Sequence, residues 1–190
     1  MTTRAKTRLV CGWGINDSDD EMSYINEAGV RVATLTYNVW RNIIRKTRGD
    51  KPGDVCAEWR YFATFERWML KQREFEGLTL AVMLPNTQDY TPETSAFVSR
   101  RLDLHLISLS KDDDAAGILK DRWGYRAYFF PMHGPAYYSR QPSRAEARVD
   151  YLQARARDLE TECGLHSNPI VTRGLRAHVE VLKRRAEAII

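Results

Sequence analysis

The chain of 190 residues carries a formal net charge of +4 and contains 43% hydrophobic, 28% charged and 11% aromatic residues. These values are typical of a folded protein; they exclude wholesale disorder, and the length limits the chain to one or two small domains. The calculated pI of about 9.0 permits a basic nucleic-acid-binding face without requiring one. The three cysteines, Cys11, Cys56 and Cys163, are far apart and have no CxxC spacing. This argues against structural zinc and a disulfide framework, and favours a reducing compartment.

The N-terminus lacks the apolar core of a signal peptide, and no apolar run reaches the length needed to cross a membrane. We therefore expect a cytoplasmic protein with no membrane partner.

The N-terminal third contains one predicted loop and one predicted helix. Leu9–Asp17 has two glycines around Trp13 and predicts a loop that inserts an aromatic anchor into the core. From Gly29 to Arg48 the apolar residues recur every three or four positions, which is helical periodicity. The helix also carries the basic residues Arg41, Arg45, Lys46 and Arg48. Neutralisation of phosphates and an ordinary solvated helix face are both open interpretations of these residues.

The middle of the chain combines an aromatic stripe with a short hairpin. The stripe consists of Val55, Trp59, Phe62, Phe65, Trp68 and Met69, and we expect it to form core because aromatic side chains bury so much apolar area. Leu78–Leu84 has the length of a strand, and Pro85–Thr87 has turn chemistry. Thr91–Thr94 has the form of a helix start, with proline near the first position. Ala96–Leu109 then completes a predicted strand-turn-strand-helix unit.

The C-terminal part predicts a small sheet followed by two helices. Lys111–Asp114 is expected to be a solvated linker and a domain boundary. The predicted strands are Ala116–Leu119, Tyr125–Phe130 and Ala136–Tyr138. Ser143–Glu146 is a capping box that opens a helix running to Cys163. After a break at Asn168-Pro169, a last helix within residues 170–190 has Leu175, Val179, Leu182 and Ala186 on one face.

The hairpin from Leu80 to Val98 resembles that of the HNH-type endonucleases carried by phages. In that family an acidic Leu-Asp-Lys-Asp motif leads into Tyr-Ser-Pro-Glu-Thr-Cys-x-Phe-Val, and Tyr90–Val98 matches the second part almost letter for letter. Further stretches match in the same order, so that the resemblance covers most of residues 9–104. These stretches are Gly12–Asp17, Trp40–Arg45, Val55–Phe62 and Phe65–Met69.

The acidic half of the family motif is missing from this chain. Its two carboxylates fall on Ala81 and Met83, and the residue between them falls on Val82. None of these side chains can bind a metal ion or activate a water, as HNH chemistry requires. The family's helix asparagine aligns with Asp103, which is the one residual ligand candidate. The resemblance therefore implies a pseudo-nuclease without catalytic residues, metal or other cofactor.

An enzyme remains the alternative to a pseudo-nuclease. It would be a divergent nuclease that uses Mg²⁺ or another divalent cation, held by Asp103 together with acids of the N-terminal cluster Asp17, Asp19, Asp20 and Glu21. Helix capping and solubility explain that cluster more simply.

The three strands and one helix within residues 115–165 resemble the AP2-type DNA-binding module that phage HNH enzymes often carry at the C-terminus. On the predicted sheet, positive charge is interleaved with aromatic rings, and the candidate nucleic-acid-binding residues there are Arg122, Trp123, Arg126 and Arg140. A sheet face of this kind can lie in a DNA groove and contact phosphates and base edges. It can equally bind a protein, because tryptophan, tyrosine and arginine dominate interface energetics.

Together these features predict an α+β fold in three parts. An HNH-like domain with a ββα region spans residues 1–110, an AP2-like module spans 115–165, and a C-terminal helix occupies 170–190. The predicted function is that of a phage-encoded protein that binds double-stranded DNA in the cytoplasm of an infected bacterium. A second possibility is a protein that inhibits or redirects a host polymerase, gyrase or defence nuclease.

Overall fold

The computed structural model of the chain describes residues 8–18, 21–47, 54–72, 74–111 and 116–190. The fold is mixed α+β, as the sequence predicts. The strands are β1 (Arg8–Val10), β2 (Gly14–Asn16), β3 (Ser23–Ile25), β4 (Arg31–Ala33), β5 (Thr79–Val82), β6 (Ser95–Val98), β7 (Ile118–Asp121), β8 (Gly124–Phe129) and β9 (Tyr137–Gln141). The helices are α1 (Leu35–Lys46), α2 (Phe62–Leu70), α3 (Arg100–Ser110), α4 (Arg144–Cys163) and α5 (Pro169–Glu187), with a 3₁₀ turn at Ala57–Arg60.

The contacts divide the chain into two compact units. The first comprises the described residues up to Val82 together with Thr87–Phe97, and the second comprises Met83–Asn86 and Val98–Ile190. The second unit is therefore discontinuous in sequence, and all three junctions between the units lie within the β5–β6 hairpin. The sequence instead places a boundary at Lys111–Asp114, a segment of which only Lys111 is described.

Two antiparallel hairpins replace predicted elements in this part of the chain. The β1–β2 hairpin lies where the sequence predicts a loop, and β4 of the β3–β4 hairpin lies where it predicts the first turn of a helix. Helix α1 consequently begins at Leu35 and not near Gly29. Thr34 caps it, since its hydroxyl accepts a hydrogen bond from the amide of Tyr37. The prediction of a helix from Gly29 is wrong because strand pairing satisfies the backbone of Arg31–Ala33.

The core of the first unit is built from the residues that the apolar periodicity selects. Trp40, Trp59 and Phe65 are at most 1% exposed, and the Trp40 indole N–H donates to the Trp59 carbonyl at 2.7 Å. Trp13 packs against this core and donates to the carbonyl of Ile44 at 3.1 Å. The prediction of an aromatic anchor in the N-terminal segment is therefore confirmed, although a hairpin and not a loop carries it.

The middle of the chain follows the predicted order of strand, turn, strand and helix. The expected helix start at Thr91–Thr94 is wrong. The Thr91 hydroxyl accepts hydrogen bonds from the amides of Glu93 and Thr94, which closes a single turn, and the chain then enters β6. Helix α3 begins only after Ser99, whose hydroxyl accepts from the Leu102 amide.

The second unit contains an antiparallel sheet in the order β7–β8–β9. Helix α4 packs on one face of this sheet and also against α5. The predicted capping box is confirmed, since Ser143 and Glu146 bond reciprocally at the start of α4. Asp150 ties the helix to β9 by accepting hydrogen bonds from Tyr137, Ser139 and Gln141.

Helix α5 begins earlier than the sequence predicts, and it approaches the hairpin loop closely. The Asn168 side chain accepts from the Ile170 amide, and Pro169 occupies the first turn of α5. These two residues therefore start the helix, whereas the sequence predicts that they form a break before it. A Cβ added to Gly174 would lie 2.6 Å from Met83 Cβ and 2.7 Å from the Met83 carbonyl oxygen. Only glycine permits this contact. In the part of the chain that the structure describes, no helix is long and apolar enough to cross a membrane.

Candidate nucleic-acid interface

The face of the β7–β8–β9 sheet that points away from α4 is exposed and rich in arginine and aromatic residues. On β8, Ala127 and Phe129 are buried toward α4, where the Phe129 ring contacts Tyr151 edge to face. Alternate residues of a strand point to opposite faces, so Arg126 and Tyr128 lie on the other side. We call this side, with the adjoining turn, the outer sheet surface; it consists of Leu119, Asp121, Arg122, Trp123, Arg126, Tyr128, Phe130, Tyr138 and Arg140.

Trp123 occupies the β7–β8 turn with 58% of its surface exposed. The guanidinium of Arg122 lies 3.7 Å from the centre of its ring, and that of Arg140 lies 5.0 Å from it. Such cation–π contacts hold arginine side chains in place over an aromatic face while leaving their N–H groups free to bind other groups. The structure thus brings together three of the residues that the sequence selects.

Asp121 connects the remaining candidate residue to this group. Its Oδ2 lies 3.1 Å from Arg126 Nε and 3.5 Å from Arg140 Nη2. Its Oδ1 accepts a hydrogen bond from the Trp123 amide at 2.8 Å, which shapes the turn. The Asp121 side chain is 16% exposed, against 41% for Arg126 and 50% for Arg140. The carboxylate therefore lies under the two guanidinium groups.

The other end of the outer sheet surface is aromatic. Tyr128 and Tyr138 face each other across β8 and β9 with their rings stacked at 6.1 Å. Phe130 meets Tyr128 edge to face and is 69% exposed. Exposed rings next to fixed arginines provide both stacking and hydrogen-bonding capacity at one surface.

The basic residues predicted on α1 belong to the first unit. Arg41, Arg45 and Lys46 are exposed, and Arg45 contacts the side-chain oxygen of Asn42 at 3.4 Å. Arg48 lies outside the described residues. These side chains form a cationic helix face, but among the described residues no aromatic ring makes a cation–π contact with them, in contrast to the arginines around Trp123.

The residues that the sequence resemblance aligns with the nuclease carboxylates, together with the residue between them, are packed into the protein. Ala81 is 3% exposed and Met83 is fully buried, while Val82 is half-buried. Met83 contacts Gly174 of α5, as described above. Its backbone also forms a hydrogen bond with His178. Met83 thus contributes apolar packing to the second unit.

Of the five carboxylates considered for a divergent metal site, Asp103 and Asp17 have structural partners, and Glu21 is exposed. Asp103 is 7% exposed and accepts from Arg100 Nη1 at 2.7 Å. Asp17 accepts from the amide of Ala63 in the first turn of α2 at 3.0 Å, which supports the capping interpretation. Asp19 and Asp20 lie outside the described residues. Among those that are described, no three His, Cys, Asp or Glu side chains form a group suited to a metal ion.

A buried polar network between α3 and α4 was not predicted. Arg155 is 5% exposed and donates to Tyr151, Ser108 and His105 at 2.8, 2.8 and 3.1 Å. Since a guanidinium has only donors, Nε2 of His105 must accept and cannot carry a proton. Burial and the charge of Arg155 accordingly lower the pKa of His105 from 6.5 to about 4, despite the opposite effect of Glu162. His105 Nε2 lies 3.7 Å from Oδ2 of Asp158.

Glu162 lies between two further histidines. Its carboxylate contacts His133 Nε2 at 2.5 Å and His166 Nε2 at 2.8 Å, and its side chain is 7% exposed. Burial alone would raise the pKa of Glu162, but the hydrogen bonds from His166 and His133 outweigh it and the net shift is downward. Through these contacts Glu162 connects the C-terminal end of α4 to His133 in the loop that precedes β9.

The helical periodicity of α4 contains a signal for this network. Arg155 and Glu162 fall on the same face of α4 as the apolar residues Tyr151, Leu152 and Leu159, at spacings of three and four. Charged residues on the buried stripe of a helix require partners.

No family model matches the chain, and no curated protein or solved structure matches it either.

Proposed function

We propose that this chain is a non-catalytic protein that binds double-stranded DNA through the outer sheet surface. In this proposal it descends from a phage HNH endonuclease with an appended AP2-like module, and it acts in the cytoplasm of an infected bacterium. It uses no metal or other cofactor.

The observation that carries the proposal is the cluster of Arg122, Trp123, Arg126 and Arg140 on the exposed face of the sheet. Sheets and β-ribbons can enter a DNA groove, where arginine side chains pair with guanine edges and phosphates. All three arginines of the cluster have a partner there: the guanidinium groups of Arg122 and Arg140 lie over the Trp123 ring, and Arg126 pairs with Asp121. Such fixation lowers the conformational entropy lost on binding, which is large for arginine.

The packing of the former motif supports the absence of catalysis. Met83 fills a buried position against α5, and the remaining candidate, Asp103, is engaged by Arg100. A hydrolytic site needs a metal or a base within reach of an attacking water, and these two residues offer neither.

The double substitution R122A/R140A should weaken binding of a short duplex at least about tenfold at low salt, since each arginine contact to a base or phosphate contributes about 1–3 kcal/mol. The slope of log K against log salt should become shallower by about 1 for each of the two arginines that contacts a phosphate and not a base edge. Fluorescence anisotropy with a labelled duplex over a series of salt concentrations measures both quantities.

The matched control is K183A/R184A, which removes two positive charges from the exposed face of α5. It should lower affinity far less than R122A/R140A. Equal losses in the two variants would mean that net charge alone drives binding, and would contradict the assignment of the interface. No binding by the unaltered chain at low salt would refute the proposed function itself.

We also expect no nicking of supercoiled plasmid by the unaltered chain in Mg²⁺ or Mn²⁺. If nicking does occur, the variant D103N decides its origin. Loss of nicking in D103N would establish the divergent-nuclease alternative and end the pseudo-nuclease proposal.

A second candidate function is binding of a host protein, such as a polymerase, gyrase or defence nuclease, by the same surface. The exposure of Trp123, Phe130 and Tyr138 (58%, 69% and 59%) favours it, because exposed aromatic clusters mark protein interfaces. A pull-down from bacterial lysate with and without nuclease treatment separates the two functions. A dominant protein band that survives nuclease supports this second candidate; capture that disappears with the nucleic acid supports DNA binding.

A further inference from the structure

Arg126 and Arg140 are directly opposite each other on neighbouring strands of the outer sheet surface. Like charges at paired positions of a sheet repel each other. The repulsion is offset by Asp121, whose single oxygen Oδ2 lies within 3.5 Å of a nitrogen from each arginine. One largely buried carboxylate thus holds both guanidinium groups.

The carboxylate engages the two arginines asymmetrically. On Arg126 it faces Nε, so both terminal nitrogens point elsewhere; on Arg140 it faces Nη2, so Nε and Nη1 are left. Arg126 therefore keeps both terminal nitrogens, whose parallel N–H groups form the pair needed for a bidentate contact with a base edge. On Arg140 the N–H groups of Nε and Nη1 point in different directions, so they are left for single hydrogen bonds. The negative charge of Asp121 also weakens the pull of these arginines on phosphates, because it lies about 3 Å from them and is only 16% exposed.

We propose that Asp121 is the residue that determines the sequence selectivity of the outer sheet surface. It positions Arg126 and Arg140 for base edges and reduces their attraction to phosphates of any sequence. The inference rests on the proposed DNA-binding function. Specificity of this type arises as much from weakening the wrong complexes as from strengthening the right one.

The test is D121N, which removes the charge while keeping an oxygen to accept from the Trp123 amide. A duplex selected by the unaltered chain from a randomised pool is compared with a scrambled duplex of the same composition. D121N should bind the scrambled duplex about three- to tenfold more tightly at low salt, with a salt slope steeper by about 1. The ratio of the two affinities should fall at least about tenfold, as expected when base contacts are lost.

The control E160Q removes one negative charge from an exposed ion pair with Lys183 on the other side of the unit. It should leave the affinity ratio unchanged, and circular dichroism should show that both variants are folded. An affinity ratio for D121N equal to that of E160Q would overturn the inference, as would a wild-type chain that binds DNA but enriches no sequence. DNA binding as such would stand in both cases. Absence of any DNA binding at low salt would instead remove the proposed function and the inference together.

Discussion

Gly117→Ala is expected to destabilise the second unit by about 3 kcal/mol or more, combining backbone strain with overpacking. Gly117 has φ +70°, which costs an L-residue energy, and an added Cβ would lie 2.0 Å from Cε2 of Tyr151. Tyr151 cannot move away easily, because it is buried on α4 and its hydroxyl accepts from Arg155. Hydrogen exchange of α4 amides followed by mass spectrometry reports the loss.

Gly134→Ala separates the two contributions to this effect. Gly134 also has a positive φ, +89°, but nothing lies within 4 Å of an added Cβ. We expect a loss of only about 1 kcal/mol from the backbone term. If G117A proved no more destabilising than G134A, the close packing of Gly117 against Tyr151 would be contradicted.

Acidification from pH 7 to pH 5 should destabilise the protein by about 2 kcal/mol for each of two buried histidines. Burial lowers the pKa of His105 and of His178 to about 4, while in the unfolded chain both titrate near 6.5. Between these values the unfolded state binds more protons than the folded state. Stability is therefore highest above pH 6.5 and falls as the pH decreases toward 4. Urea unfolding followed by circular dichroism at several pH values measures this slope.

The double variant H105Q/H178Q should be less stable at pH 7, because the polar network and the bond to Met83 are altered, but its stability should change far less between pH 7 and pH 5. The single variants H105Q and H178Q should each remove about half of the dependence. A pH profile of H105Q/H178Q as steep as that of the unaltered chain would show that these histidines are not held neutral.

The periodicity of apolar residues predicts the helices and most strands of this chain, but it cannot identify partners distant in sequence. The capping box at Ser143 and the aromatic core around Trp59 depend on neighbours within one or two turns, and both are confirmed. The apolar periodicity predicts a helix for Arg31–Ala33. Three residues are too few to distinguish the two-residue period of a strand from the 3.6-residue period of a helix. The pairing of Arg31–Ala33 with Ser23–Ile25 decides its conformation.

The outer sheet surface was only partly predictable, because the sequence shows its residues but not their contacts with strands distant in sequence. The type and order of Arg122, Trp123, Arg126 and Arg140 are visible in the sequence, whereas the part played by Asp121 is not. An aspartate in a turn between two strands has an ordinary local explanation, as acceptor for the amide two residues later. Its second oxygen meets Arg140 only because β9 returns beside β8 after a long connection.

The contact of Met83 with Gly174 and His178 also has a consequence for synthesis of the protein. The second unit contains Met83–Asn86, but the helix that covers Met83 is made about 90 residues later. At elongation rates of about 5–20 residues per second, this interval lasts roughly 5 to 20 s. During that time Met83 lacks its α5 contacts, and the second unit cannot be completed until the final helix has left the ribosome. A chain arrested before α5 should therefore be sensitive to proteolysis near Met83.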